Sequence, residues 1–257
     1  MTTAARRERA VDVPRRAMVL AAGLGLRMRP LTETRPKPLI EVAGRSLLDR
    51  VITRLEAAGV EEIVVNAHYL AAQIEAHVAA RRAGRARLTV SLERDRLETG
   101  GGVAKALPLL GNGPFFVVNG DVLWLDGPRP TLESLAAAWD ETIMDALLLL
   151  HPTATAFGYD GDGDFFIAGD GRLSRRGDGQ SAPFLFAGVQ ILSPRALTDL
   201  PDPPFSLNWI YDRAAATGRL FGVVHAGAWF HVGTPKDLAL AEAELARRAE
   251  TATVMVP

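Results

Sequence analysis

The chain has 257 residues, 48% of them hydrophobic, and no cysteine. That length holds one α/β domain with a buried core, and the lack of cysteine excludes disulfides and thiolate metal centres. The net charge of −1 offers no basic surface for nucleic acid or an anionic membrane, and no apolar run reaches the ~20 residues a bilayer-spanning helix needs.

Met1–Arg16 is polar and arginine-rich and lacks the apolar stretch of a secretory signal. It reads as a disordered leader on a cytoplasmic protein. Ala17–Ala22 is an apolar run ending at Gly23, which predicts a buried strand. A loop rich in Pro, Thr and Arg follows to Pro38. Ser46–Ala58 is a helix: Ser46 and Asp49 fit a capping box, Leu47, Leu48, Val51, Ile52 and Leu55 share one face, and Gly59 ends it. Glu62–Asn66 is a strand, Tyr69–Ala83 a helix stopped by Gly84, and Leu88–Leu92 a strand. A glycine turn at Gly100–Gly102 opens a helix to Leu110, and Pro114–Asn119 is a strand ending in Asn119-Gly120-Asp121. This alternation predicts an α/β, doubly wound, mostly parallel sheet.

Further on, Thr131–Trp139 is a helix, Ile143–His151 a strand, and Asp160–Ser174 a hairpin turning at Asp170-Gly171. Phe184–Leu192 is a strand, Leu207–Thr217 a helix, and Leu220–His225 a strand. The last helix takes Thr234 as cap, Pro235 at its first position and Asp237 at its third, and runs to about Glu250. Nothing marks a linker, so 17–250 is expected to form one domain.

The segment Leu20-Ala-Ala-Gly23-Leu-Gly25-Leu-Arg27-Met-Arg-Pro30-Leu-Thr carries the main chemical signal. Small residues at a strand end let the backbone approach a ligand, and amides there form a nest for phosphate oxygens. Arg27, Arg29, Arg35 and Lys37 add four cations, opposed only by Glu33. A dinucleotide fingerprint is excluded, because Met28 stands where a third small residue is needed and Pro30 and Pro36 keep the chain in a loop. A P-loop is excluded because no Gly-Lys-Ser/Thr follows.

This segment, with Pro36-Lys37-Pro38-Leu39, Glu98-Thr-Gly-Gly-Gly102, Asn119-Gly120-Asp121 and Val232-Gly233-Thr234, resembles the signature of the sugar-1-phosphate nucleotidyltransferases over roughly 17–245. The short length and the string Leu97-Glu-Thr-Gly-Gly-Gly are most similar to the family's N-acetylmuramate-1-phosphate uridylyltransferases of cell-wall recycling. The resemblance implies a Rossmann-like fold with a mixed sheet, a nucleotide-binding half (17–125) and a sugar-binding half (126–250). It implies transfer of a nucleotidyl group, here from UTP, to a sugar 1-phosphate, with pyrophosphate released and Mg²⁺ (Mn²⁺ as substitute) as metal. Guanylyl transfer to mannose 1-phosphate and a non-catalytic nucleotide-sugar sensor are the alternatives. The partners implied are small molecules and the chain is expected to be a monomer.

Residue by residue, the resemblance makes Arg27, Lys37 and Asp121 catalytic, with Arg27 on the triphosphate and Lys37 bridging toward the sugar phosphate or α-phosphate. Leu20, Ala22, Gly23 and Gly25 line the nucleotide together with Glu93, Thr99, Gly101 and Asn119. Gly188 matches a family glycine near the sugar, and Asp164, Asn208 and Phe205 are sugar-side candidates by position only. Asp121 is the metal carboxylate, suited to a hard ion that prefers oxygen. His231 stands where many relatives have a second metal aspartate, and imidazole suits Mn²⁺ better than Mg²⁺. A sugar-phosphate lysine common in relatives is missing before Phe184, and Arg175 or Arg176 is its substitute. Asp160-x-Asp162-x-Asp164 fails as an EF-hand because Phe165 and Gly171 occupy its required positions. His68, His77, His151 and His225 lie in separate elements without metal spacing and are structural.

Overall fold

The computed structural model describes residues 11–81 and 84–254. The leader expected at Met1–Arg16 lies largely outside these, but Arg16 opens the first strand, where its Nε donates to Glu62 at 2.8 Å. The elements in chain order begin with β1 (Arg16–Leu20), β2 (Glu41–Val42), β3 (Arg45–Ser46), α1 (Leu47–Ala57) and β4 (Glu62–Ala67). Next come α2 (Ala71–Ala80), β5 (Arg87–Leu92), α3 (Glu98–Leu110), β6 (Phe115–Asn119), β7 (Leu123–Leu125) and α4 (Thr131–Ala138). The rest are β8 (Ala146–Pro152), β9 (Phe165–Ile167), β10 (Leu173–Arg175), β11 (Phe184–Leu192), α5 (Asn208–Ala216), β12 (Leu220–Val224), β13 (Ala228–Phe230) and α6 (Pro235–Val254).

One mixed sheet organises the fold. Strands β5, β4, β1 and β6 run parallel, β11 lies antiparallel to β6, and β8 and β12 continue beyond β11. The β9–β10 hairpin attaches to the early part of β11. Helices cover both faces, which is why β1 is buried on both: Ala17 and Val19 pack toward α1, α2 and α4, and Met18 toward α3 and α5. The expected doubly wound, mostly parallel but mixed sheet is present.

A third apolar cluster joins Met28, Ile40, Val42, Leu47, Leu123, Phe230, Val232 and Ala241. It is closed by β7 paired with β13, two three-residue strands about a hundred residues apart in sequence. This small sheet has no sequence signal, because three residues carry no readable alternation.

Several boundaries move for local reasons. Helix α1 begins as expected: Ser46 Oγ accepts from the Asp49 amide at 3.1 Å, and Gly59 at φ +93° follows it. Strand β8 starts at Ala146 instead of Ile143, because Asp140 accepts from the Thr142 amide and hydroxyl and folds 140–144 into a turn. Helix α2 is shorter than expected, from Ala71 to Ala80; Arg81 turns back to pair with Asp49 and Glu56, and the expected end at Ala83 lies outside the described residues. Gly100–Gly102 form no turn. They lie inside α3, where side chains have no room: a Cβ on Gly100 would sit 2.4 Å from the Phe205 ring, and one on Gly102 2.7 Å from Glu93 Oε1.

Candidate active site

The C-terminal ends of β1, β6, β4 and β5 bring Leu20, Asn119, Asn66 and Glu93 to one edge of the sheet, where open α/β sheets bind ligands. Leu20 and Asn119 are register partners. Gly120 then donates to the Leu20 carbonyl at 2.8 Å, and a Cβ at Gly120 would lie 2.9 Å from that oxygen. The glycine is what lets β6 turn away at this point. Over this edge opens a cavity of about 540 Å³, a size that suits a nucleotide-like ligand.

One wall is the loop after β1. It is held from below by Met28, fully buried in the third cluster. From the side, Thr32 Oγ1 donates to the Gly25 carbonyl at 2.8 Å, Tyr69 Oη to the Thr32 carbonyl at 2.8 Å, and Gln73 Nε2 to the Thr34 carbonyl at 2.8 Å. Gly25 adopts φ +63°, a left-handed conformation that favours glycine. The bonds that hold this loop use the amides of Ala21, Met28, Arg29 and Glu33; among the described residues none uses those of Gly23, Leu24, Gly25 or Arg27. Free amides on a rigid turn form an anion nest.

The opposite wall rests on a buried chain of hydrogen bonds. The Ala21 amide donates to Asn66 Oδ1 at 2.6 Å, and Asn66 Nδ2 donates to Glu93 Oε1 at 2.7 Å. Asn66 is 2% exposed and Glu93 3%, so each group depends on the other for satisfaction. At the α3 N-terminus the Phe205 carbonyl accepts from the amides of Gly100 and Gly101, and Thr99 Oγ1 accepts from the Leu207 amide at 2.9 Å.

Lys37 projects from the far end of the loop, and its Nζ lies 2.7 Å from Asp121 Oδ2. Arg27 lines the same cavity and makes no ion pair among the described residues. Of the four loop cations, Arg27 and Lys37 therefore line the cavity, whereas Arg29 does not and Arg35 pairs with Glu41 at 3.8 Å.

The cavity gathers Leu20, Ala22, Gly23, Gly25, Arg27, Lys37, Glu93, Thr99, Asn119 and Asp121 of the expected residues. It leaves Gly101, Asp164, Gly188, Phe205, Asn208 and His231 off the wall. Gly101 packs behind it, because a Cβ there would meet Leu97 and Pro203 at 3.1 Å. Gly188, at φ +79° in the bulged part of β11, backs directly onto Asn119, whose Nδ2 would lie 3.0 Å from a Cβ at 188. Asp164 is exposed and its Oδ2 accepts from the Phe186 amide at 2.8 Å, so it extends strand pairing. Asn208 is exposed at the start of α5.

His231 adjoins the cavity through Gly233 and lies 3.9 Å from Asp237 Oδ2. Burial pushes its pKa down from the ordinary value; Asp237 opposes this, while Arg27 and Lys37 add to it. The two arginines read as substitutes for the missing lysine are used elsewhere. Arg175 pairs with Asp212 at 3.2 Å, and Arg176 donates to the carbonyls of Gly163 and Gln180.

Two lining residues carried no sequence signal. Asn66 ends a strand that reads as ordinary, and Arg96 precedes α3 as one of many arginines, pairing with Glu98 at 3.0 Å. Among the described residues no group of three or more His, Asp and Glu side chains is set to hold a metal. The Asp121 carboxylate alone fits a hard ion that completes its shell with water and substrate oxygens. No helix of the described residues is long and apolar enough to cross a membrane.

Residues 16–161 match the model of the nucleotidyl transferase family. The chain is 49% identical to an N-acetylmuramate α-1-phosphate uridylyltransferase of Caulobacter vibrioides, over 91% of this chain and 98% of that protein. It is 38% identical to the protein of the same name from Neisseria meningitidis, over 89% and 97% of the two chains. The fold is also similar to the crystal structure of HddC from Yersinia pseudotuberculosis complexed with GMP-PN, with a TM-score of 0.73 at 23% identity over 90% of this chain and 99% of that one. With a family model matched over more than half of its length and a relative 49% identical over nearly all of both chains, the chain belongs to the nucleotidyl transferase family.

Proposed function

We propose that the protein joins UTP to N-acetylmuramate 1-phosphate, giving UDP-N-acetylmuramate and pyrophosphate. The observation that carries this reading is the pairing of the free loop amides and Arg27 with the Lys37–Asp121 contact in one cavity. The choice of base and sugar rests on the likeness to the two bacterial uridylyltransferases, which spans nearly the whole of all three chains.

The uracil and ribose lie between the β1 end and the start of α3, against Leu20, Ala22, Thr99 and Asn119. The triphosphate lies along Gly23–Arg27, where amides and the Arg27 guanidinium neutralise it. An oxygen of the sugar 1-phosphate attacks the α-phosphorus; that P–O bond forms as the bond from the α-phosphorus to the α,β-bridging oxygen breaks, and pyrophosphate leaves with the electron pair. Such a transfer asks the protein for alignment and charge neutralisation more than for covalent chemistry. Lys37 stands where it neutralises the reacting phosphates. Asp121 holds a divalent cation of the Mg²⁺ type, which supplies further charge neutralisation when bound. His231 stands beside that position. The sugar occupies the half from 126 onward, beyond Asn119 and Gly188, and no membrane or nucleic-acid partner is called for.

The test is the ³¹P spectrum of the protein with UTP, N-acetylmuramate 1-phosphate and Mg²⁺. Equal amounts of pyrophosphate and a UDP-sugar diphosphate are expected. Tight binding of UDP-N-acetylmuramate without pyrophosphate release would instead make the protein a sensor.

A further inference from the structure

Between α1 and β7 lies a second cavity of about 190 Å³ lined by Arg45, Arg50, Arg54, Thr53 and Trp124. At ~30 Å³ per water it holds about six waters, room for a tetrahedral oxyanion and not for a nucleotide. Three guanidinium groups share it, and among the described residues the one carboxylate paired with any of them is Asp126, which takes Arg54. Arg54 is further fixed by the Trp124 carbonyl at 2.9 Å and by the Trp124 ring, 4.8 Å from its guanidinium carbon. Arg45 and Arg50 make no ion pair among the described residues, and the carboxylate nearest in sequence, Asp49, is taken by Arg81 and His77.

Their donors are only partly used. Arg45 Nη2 donates to the Asp49 carbonyl and to Thr53 Oγ1, and Arg50 Nη2 to the Val42 carbonyl. Arg50 Nε is buried with no partner. A buried guanidinium donor left unsatisfied is costly, and three like charges in one cavity add to that cost. Burial and the charges of Arg45 and Arg54 also press the Arg50 pKa down, the sign of a cavity short of negative charge.

We infer that Arg45, Arg50 and Arg54 form a second anion site that takes a small phosphate-class oxyanion. Guanidinium forks match phosphate oxygens in twos, and the unpaired Arg50 Nε supplies a buried donor. The site has a structural link to the catalytic cavity. Arg45 follows Lys37 by eight residues on the same loop and hairpin, and Trp124 follows Asp121 by three. An oxyanion here bridges the two segments that carry the Lys37–Asp121 pair. The inference stands on this cavity alone and does not depend on the identity of the nucleotide or sugar.

The test is isothermal titration of the full chain with inorganic phosphate, in metal-free buffer of fixed ionic strength. Three proteins separate the two cavities: wild type, Arg27→Ala, which weakens the catalytic cavity, and Arg50→Gln. Arg45→Gln, an exposed position, serves if Arg50→Gln fails to fold. Wild type and Arg27→Ala are expected to bind phosphate alike, and Arg50→Gln or Arg45→Gln to lose at least tenfold in affinity. Binding abolished by Arg27→Ala and untouched by the α1-side variants would overturn the inference. So would the absence of heat from phosphate with the wild type at millimolar concentration.

Discussion

Lys37 Nζ and Asp121 Oδ2 lie 2.7 Å apart across 84 residues of chain, with the lysine side chain 13% and the aspartate 35% exposed. The contact ties the far end of the phosphate loop to the end of β6, at the wall of the cavity. Lys37→Met is expected to lower kcat by about 10²–10³-fold, the scale for losing one preorganised charge on a transferring group. Circular dichroism should show an unchanged fold. A loss of activity matched by loss of folded protein would give Lys37 a structural role instead.

Gly25 is a backbone requirement. At φ +63°, a Cβ there would press on Thr32 Cγ2 at 3.0 Å and on Lys37 Cβ at 3.1 Å. Gly25→Ala is expected to cost about 1–3 kcal/mol of stability and to raise KM for the triphosphate at least tenfold, since both the amide nest and Lys37 shift. Urea unfolding and initial rates measure the two effects. An unchanged KM would remove the amides of this turn from the phosphate site.

The buried chain from Ala21 to Asn66 to Glu93 predicts a stability defect at a residue outside the expected chemistry. Asn66→Ala strands the Ala21 amide and removes a donor from the Glu93 carboxyl. At about 1–3 kcal/mol per buried unsatisfied group, a loss of ~3 kcal/mol is expected in denaturant unfolding, with weaker nucleotide binding. A loss below ~1 kcal/mol would mean that water takes over both bonds.

Much of this site was legible in the sequence and part was not. The loop from Leu20 to Leu39 could be read because it is continuous: glycines, cations and prolines in a fixed order need no tertiary contact to be recognised. The cap of helix α6 is legible as well: the Thr234 amide donates to Asp237 Oδ2 at 2.8 Å and the Asp237 amide to Thr234 Oγ1 at 3.2 Å. Asn66 carries no sequence signal because its role exists only once β4 and β5 lie side by side. Gly100–Gly102 suggested a turn, yet they serve helix packing against Phe205 and Glu93, a demand set by elements distant in sequence. The partners of Arg175 and Arg176 are illegible in sequence for the same reason: Asp212 and the carbonyls of Gly163 and Gln180 become their neighbours only through the fold.

His151 and His225 are buried with ring centroids 5.6 Å apart, and His231 is part-buried nearby through Trp229. Burial is the leading cause that lowers the pKa of all three below the ordinary histidine value. Folded-state values below the unfolded one mean that the unfolded chain binds more protons as pH falls. Stability from these groups is therefore present above 6.5 and lost as pH drops through the lower folded values. Urea midpoints should fall between pH 7.5 and 5, and His151→Gln should flatten that slope. A slope that appears only below pH 4.5 would assign acid loss to carboxylates.

The metal setting can be probed at His231. Imidazole favours Mn²⁺ over Mg²⁺, so His231→Ala is expected to lower the ratio of Mn²⁺- to Mg²⁺-supported rates several-fold. An unchanged ratio would remove His231 from the metal's surroundings and leave Asp121 as the sole protein ligand. Removal of the divalent ion with EDTA should abolish turnover in both proteins.

The central claim is uridylyl transfer to N-acetylmuramate 1-phosphate, and pyrophosphate release across a grid of triphosphates and sugar phosphates tests it most directly. UTP with N-acetylmuramate 1-phosphate is expected to give a kcat/KM at least a hundredfold above GTP with mannose 1-phosphate or dTTP with glucose 1-phosphate. A higher kcat/KM for either of those pairs, or no pyrophosphate from any pair, would contradict the account.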